Sequence, residues 1–267
     1  MGERLVRSVS GVATPPADAP VAGERRPRRT TGPRPIAAVE AGFRRLARLR
    51  AAPALHPDGL TCTAELEVWD DGAGPWGAAW LDTPARYAAT VRLSRAAGLP
   101  RRLPDGLGLA VRVEDAEGPG RPVDLLLTSS GRGRLTRRLP RLRADALGGP
   151  YSSLLSYRVG GRDRVLAAFP RRAGRAPVHG DPASLTRALA AGPLAFDLCA
   201  QESGRTWRAF AVLTVRAPLS VAQDESLDFD IYTHSGTGFT PGSTLAATRR
   251  AAYRGSRAGR REGSRDS

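Results

Sequence analysis

The hydrophobic pattern changes its period at Pro53, and this change limits the folds that the chain can adopt. Before Pro53, the stretch Ala37–Arg50 carries apolar residues at helical spacing, which predicts a basic amphipathic helix that the proline ends. After it, Thr61–Trp69 alternates apolar and polar residues with a period near two, as a half-buried strand does. The main body of the chain is therefore predicted to consist of strands, with a helix in front of them.

Further alternating stretches follow along the chain. Gly160-Gly161 is a hairpin-turn signal, and short helices are predicted at Pro182–Ala191, which Gly192 ends, and at Thr244–Arg257, which is strongly basic. Eight or nine mostly antiparallel strands suggest closure, because closure removes exposed edges. The predicted fold class is mostly β (α+β): an antiparallel barrel of about eight strands within residues 60–232, with flanking helices. The predicted strands are Thr61–Trp69, Tyr87–Leu93, Leu107–Val113, Val123–Thr128, Ser152–Val159, Arg164–Phe169, Ala195–Gln201, Trp207–Arg216 and, as a possible last strand, Leu227–Tyr232.

The two ends of the chain differ in composition from its middle. Residues 1–35 are rich in Pro, Arg, Gly and Ala without apolar periodicity, and residues 261–267 are again polar, so both are predicted to be disordered tails around one domain at 36–260. The net charge is +15, and all of the positively charged residues are arginine. Because the arginines are scattered and no recognition motif accompanies them, a nucleic-acid partner is not favoured.

Few sequence features point to a particular compartment or to metal chemistry. Cys62 and Cys199 form no CxxC or zinc spacing and lie in apolar stretches, which predicts two buried free thiols. No apolar stretch follows the N-terminal charges as in a secretory signal, and no run reaches the length of a membrane span, so a cytoplasmic protein is expected.

The chain has no GxSxG, HExxH or P-loop motif. The chain has three histidines. Of these, His179 is predicted to face solvent, and His234 lies near a Ser/Gly/Thr loop.

An ordered set of short motifs resembles the catalase family. Leu55-His-Pro-Asp-Gly59 before a strand, Val91-Arg-Leu-Ser94, Gly108-Leu-Ala-Val-Arg-Val113, Asp124-Leu-Leu-Leu127 and the Gly-Gly hairpin within Tyr151–Phe169 occur in the family's order and approximate spacing. The resemblance covers residues 54–170 and extends more loosely over 195–253.

This resemblance implies a distal site for peroxide. His56 would be the acid–base, and a neutral imidazole suits that task near pH 7. Ser94 would hydrogen-bond the other ring nitrogen of His56. The family's distal asparagine matches Thr128 or Ser129, so a hydroxyl donor replaces the amide.

The resemblance also implies how haem b would be held. Tyr253 would be the iron ligand, with Arg249 one helical turn earlier lowering the pKa of its phenol. Arg92 would face a propionate, and Arg257 and Arg260 extend the tyrosine's helix face towards the propionates. The chain departs from the family at Ala251, where an aromatic is usual, and at Pro53, where an arginine is usual.

Very short catalase-like proteins share this build, and they act on organic hydroperoxides or resemble allene oxide synthases. The resemblance therefore implies a haem-dependent, catalase-like oxidoreductase (a peroxidase or a hydroperoxide-rearranging enzyme) with a small organic or fatty-acid hydroperoxide as substrate. Two alternatives stay open: a non-catalytic barrel that binds an apolar ligand or partner, and a phosphodiesterase, which has no recognisable metal site in the sequence.

Overall fold

The computed structural model describes residues 58–96, 103–172, 174–201, 206–220 and 229–242. The predicted helices at 37–50 and 244–257 and the predicted disordered tails lie outside these residues.

The described residues form strands with few helices. The two α-helices are α1 (Ala79–Asp82) and α2 (Pro182–Ala190), and a turn of 3₁₀ helix covers Thr136–Arg138. Asp181 caps α2 by accepting a hydrogen bond from Ser184 N at 3.1 Å. The strands are β1 (Asp58–Val68), β2 (Ala85–Arg95), β3 (Asp105–Val113), β4 (Val123–Ser129), β5 (Leu142–Arg143), β6 (Tyr151–Ser152), β7 (Tyr157–Val159), β8 (Arg162–Arg164), β9 (Leu166–Arg171), β10 (Leu194–Gln201), β11 (Trp207–Pro218) and β12 (Phe239–Pro241).

Eight of these strands close into an antiparallel barrel. Hydrogen-bonded neighbours run in the order β2-β1-β11-β10-β9-β6-β4-β3, and a pairing of β2 with β3 closes the ring. The short β5 adds to the edge of β3. The predicted fold class, an antiparallel barrel of about eight strands, is confirmed.

Strand alternation fills the barrel with aliphatic side chains. Leu66, Val91, Val111 and Leu213 come from neighbouring strands of the wall and are completely buried. One end of the interior is charged instead, because Arg95 and Asp105, both buried, lie with Nε and Oδ2 3.5 Å apart. We call this end the upper end and the opposite end, where the β3–β4 turn lies, the lower end.

A three-stranded sheet of β12, β7 and β8 accompanies the barrel. The predicted strand Ser152–Val159 is therefore wrong as one element. The chain breaks at Leu154, whose φ of +56° is left-handed. Tyr151–Ser152 stays in the barrel, while Tyr157–Val159 leaves it.

The last predicted strand is also wrong. The described part of Leu227–Tyr232 is a turn that continues to His234, and His234 N donates to Asp230 O at 2.8 Å. Ile231 of this segment is buried in the core, but it does not pair with a strand among the described residues.

Candidate functional site

A row of small residues crosses the outer face of the barrel near its upper end. The strand registers place Gly59 opposite Ser94, Ser94 opposite Gly108, and Gly108 opposite Thr128. These four residues, on four adjacent strands, are the small-residue row. Because side chains alternate along each strand, the row faces away from the packed interior. The wall is thus nearly flat at this point.

Arg92 lies beside this row. Its strand position pairs with Thr61, and its Nη1 donates to Thr61 Oγ1 at 3.1 Å. A Cβ built on Gly59 would lie 2.9 Å from Arg92 Cζ. Glycine at position 59 therefore lets the guanidinium lie directly over the backbone of β1. The result is a cation held against a flat patch of wall.

This part of the outer face is shielded from water. Ser94 is 7 % exposed and Thr61 is 1 % exposed, although both side chains point outwards. Arg92 is half-buried. A polar site in such surroundings interacts more strongly with a charged ligand than a fully hydrated one does.

Ser129 and Thr128 have different surroundings. Ser129 faces the interior and is completely buried; its Oγ donates to Arg141 O at 2.6 Å and accepts from Leu107 N at 2.9 Å. Thr128 is half-buried and belongs to the row with Ser94. Of the two candidates for the distal donor, the structure places Thr128 in the small-residue row, with Gly108 between it and Ser94, and places Ser129 in the packed interior.

The remaining predicted site residues lie outside the described residues: His56, Arg249, Tyr253, Arg257 and Arg260. His56 precedes Asp58, the first residue of β1, by two positions.

A polar cluster that the sequence did not reveal lies lower on the same outer face. Arg112 and Asp124 pair across β3 and β4, with Nε–Oδ1 and Nη2–Oδ2 both at 2.8 Å. His234 Nδ1 lies 2.9 Å from both Asp124 Oδ2 and Arg112 Nη2. Asp230 N also donates to Asp124 Oδ2, at 2.7 Å. The cluster fastens the turn 230–234 to the wall.

The sequence does not predict this cluster. Arg112 and Asp124 meet through the register of β3 and β4, and His234 is far from Arg112 in sequence. Arg112 lies four positions after Gly108 on β3, which is about 13 Å along the strand. His234, engaged with Asp124, is thus away from the small-residue row.

Both cysteines are free and buried, as predicted. Burial, and secondarily the charge of Asp197, raises the pKa of Cys199 to about 12. This thiol is therefore protonated, and a poor nucleophile, at neutral pH.

The barrel and its accompanying elements define a catalase-like fold. No protein-family model matches the sequence, and no curated protein matches it. Three solved structures to which this chain is similar are catalases. A bacterial catalase superposes with a TM-score of 0.56 at 14% identity, over 77% of this chain and 56% of its own.

Two fungal-type structures give the same result. A fungal catalase has a TM-score of 0.54 at 15% identity, over 74% of this chain and 57% of its own. Catalase A from Saccharomyces cerevisiae has a TM-score of 0.57 at 14% identity, over 77% of this chain and 60% of its own. This chain thus covers less than two thirds of each catalase. Among the described residues, no helix has the length and apolar character needed to cross a membrane.

Proposed function

We propose that this protein binds haem b against the small-residue row and acts on organic or fatty-acid hydroperoxides. The observation that carries the proposal is the convergence of Gly59, Arg92, Ser94 and Thr128 on one shielded face of a catalase-like barrel. In sequence, the same positions carry the resemblance to catalases.

The described residues fit a porphyrin in two respects. A flat ring needs a wall without protruding side chains, and the row consists of two glycines, a serine and a threonine. A propionate needs a fixed cation, and Arg92 keeps its charge at any physiological pH. Tyr253 and Arg249 would complete the site from the opposite side, as the resemblance implies. When bound, the haem would supply the iron chemistry that cleaves the O–O bond.

The protein's own residues would manage the protons. His56 would take the proton from the bound hydroperoxide and return it to the departing oxygen, which a neutral imidazole can do near pH 7. Ser94 Oγ would accept from the imidazole N–H and fix its tautomer. The Thr128 hydroxyl would donate to the substrate where the family has an amide. A hydroxyl has one donor where an amide has two, so Thr128 would donate at most one hydrogen bond to the substrate.

A haem titration tests the proposal. The full chain, mixed with haemin, should give a Soret band and a high-spin ferric tyrosinate spectrum at one haem per chain. Tyr253→Phe should abolish that spectrum. Tyr87→Phe is the matched control, because Tyr87 lies on β2 near the lower end and donates to Trp80 O at 3.3 Å. The proposal fails if the wild type gives no Soret band, or if both variants keep the wild-type spectrum.

The second test separates binding from chemistry. His56→Ala should retain the haem spectrum and lose on the order of 10²–10⁴-fold in the rate of reaction with an organic hydroperoxide. Arg92→Gln should instead weaken haem retention, since it removes the cation beside the row. A chain that binds no haem would be left as the non-catalytic barrel.

A further inference from the structure

The connection between β4 and β5 inverts the usual distribution of side chains. We call residues 131–142 the arginine–leucine loop. Leu135, Leu139 and Leu142 are 77%, 57% and 69% exposed, whereas Arg137 is 3% exposed. Burying an arginine while exposing three leucines costs stability, so a folding requirement does not explain it.

The loop is held in this arrangement from inside. Ser152 Oγ donates to Arg137 O at 2.5 Å, and the Arg137 guanidinium lies 5.5 Å from the Trp207 ring. Arg141 N donates to Ser129 O at 2.8 Å. Thr136 O accepts from Gly131 N at 3.0 Å. These bonds keep the leucines outside, because turning them inwards would break the anchors.

The exposed surface between the leucines is positively charged. Arg132, Arg134, Arg138 and Arg141 are exposed, and no acidic residue occurs between Asp124 and Asp145. Among the described residues, none of these four forms an ion pair. Burial, and then the charges of Arg138 and Arg134, lowers the pKa of Arg137. The loop therefore combines exposed cations with apolar groups on one surface.

A partner for this surface must be anionic and must also accept leucine side chains. Nucleic acid meets the first condition only: single strands are bound through aromatic stacking, and the loop contains no aromatic residue. The interface of an anionic bilayer meets both, with phosphates for the guanidinium groups and acyl chains for the leucines.

We propose that the arginine–leucine loop docks the protein on an anionic phospholipid surface. The loop lies at the upper end of the barrel, where Leu142 pairs with Gly106 on β3. Docking does not depend on haem, so it is measured on the full chain without haem, and its failure leaves the proposed function untouched.

Vesicle co-sedimentation tests the docking. The full chain should bind vesicles of phosphatidylcholine containing phosphatidylglycerol and should not bind phosphatidylcholine alone. Arg134→Glu with Arg141→Glu should weaken binding by at least about tenfold, since each basic residue near an anionic surface contributes a factor of roughly five. Leu135→Gln with Leu142→Gln keeps the charge and should weaken binding by on the order of tenfold through lost acyl-chain contact.

The matched control is Arg121→Glu with Arg162→Glu. It changes the net charge by the same amount. Arg121 is exposed in the β3–β4 turn at the lower end, and Arg162 follows the Gly160-Gly161 turn that packs against Trp76. This variant should bind nearly as the wild type does. Circular dichroism confirms that each variant is folded.

Two outcomes overturn the proposal. Equal losses in the control and in the Arg134/Arg141 variant would mean that net charge alone attracts the chain to vesicles. Unchanged vesicle binding by the leucine variant, together with tight oligonucleotide binding lost in the Arg134/Arg141 variant, would assign the loop to nucleic acid.

Discussion

At the scale of single residues, Thr128 and Ser129 show how strand alternation separates neighbouring side chains. Ser129→Ala should lower the free energy of unfolding by about 1–3 kcal/mol, because it leaves Leu107 N and Arg141 O unpaired in the interior. Thr128→Ala should cost less than about 1 kcal/mol, since its side chain is only half-buried. Urea unfolding measures both, and equal losses would contradict the opposite orientation of the two residues.

The same pair shows what a linear sequence leaves open about the site. The resemblance of Val91–Ser94 to a catalase strand is what selects Arg92 and Ser94, and the alternation of a strand predicts that these two residues share a face. It could not choose between Thr128 and Ser129. That choice depends on the register of β4 against β3, which long-range pairing determines.

At the scale of elements, the β1–β2 connection is fastened to β11 by an ion pair. Arg208 Nε and Nη2 lie 2.7 Å and 2.5 Å from the two oxygens of Asp71. The hydrogen bond from Arg208, opposed by burial, lowers the pKa of Asp71 from 3.8 to about 2. A lowered pKa means that this stabilisation is nearly complete above about pH 4 and is lost as the pH falls through about 2.

Asp71→Asn should therefore lower the free energy of unfolding at pH 7 by about 1–2 kcal/mol, less than a full two-unit shift because the carboxylate is partly exposed. The difference from the wild type should shrink as the pH falls through about 2 and vanish below it. Asp70→Asn is the control, since Asp70 Oδ1 accepts a hydrogen bond from Gly72 N at 2.8 Å. Chemical denaturation across this pH range gives the result, and a constant difference at all pH values would exclude the ion pair as its cause.

The β7–β8 turn contains two glycines with different constraints. Both have positive φ, +56° at Gly160 and +80° at Gly161. A Cβ on Gly160 would lie 1.8 Å from Trp76 O, whereas a Cβ on Gly161 would meet open space. Gly161→Ala should thus cost about 1–2 kcal/mol of backbone strain. Gly160→Ala should cost at least about 3 kcal/mol, because a backbone clash adds to that strain. Thermal unfolding of the two variants distinguishes these values, and similar melting temperatures would contradict the contact.

The predicted elements agree with the structure where a strand is long. They are wrong where the chain leaves the barrel for the three-stranded sheet. β1, β2, β3, β10 and β11 are each at least eight residues long, so enough of their alternation is present in the sequence to predict a strand. The break at Leu154 contains no glycine, proline or asparagine, so the sequence does not mark a residue with the positive φ of +56° that the structure has there. Ile231 is buried although it lies in a turn, and its apolar side chain therefore fits the alternation expected of a strand.

At the scale of the whole molecule, barrel closure depends on contacts far apart in sequence. β1 pairs with β11 along Cys62–Val68 and Pro218–Ala211, which are separated by most of the domain. Such closure favours slow folding, since a long loop must be ordered before the pairing stabilises it. It also couples the elements, because the removal of any barrel strand opens the ring and leaves two other strands with an unpaired edge.

The accompanying sheet should unfold together with the barrel. Phe239 on β12 packs 5.2 Å from the Trp80 ring and 5.4 Å from Tyr157, and all three belong to one continuous core cluster. Trp207, in contrast, lies on the barrel beside Phe169 at 5.4 Å. Trp207→Phe leaves the tryptophans on the β1–β2 side as reporters. Its fluorescence midpoint in urea should coincide with its far-UV circular dichroism midpoint, as one core requires. A fluorescence transition at lower urea would mean that the three-stranded sheet detaches first, and that the packing around Phe239 does not join it to the barrel.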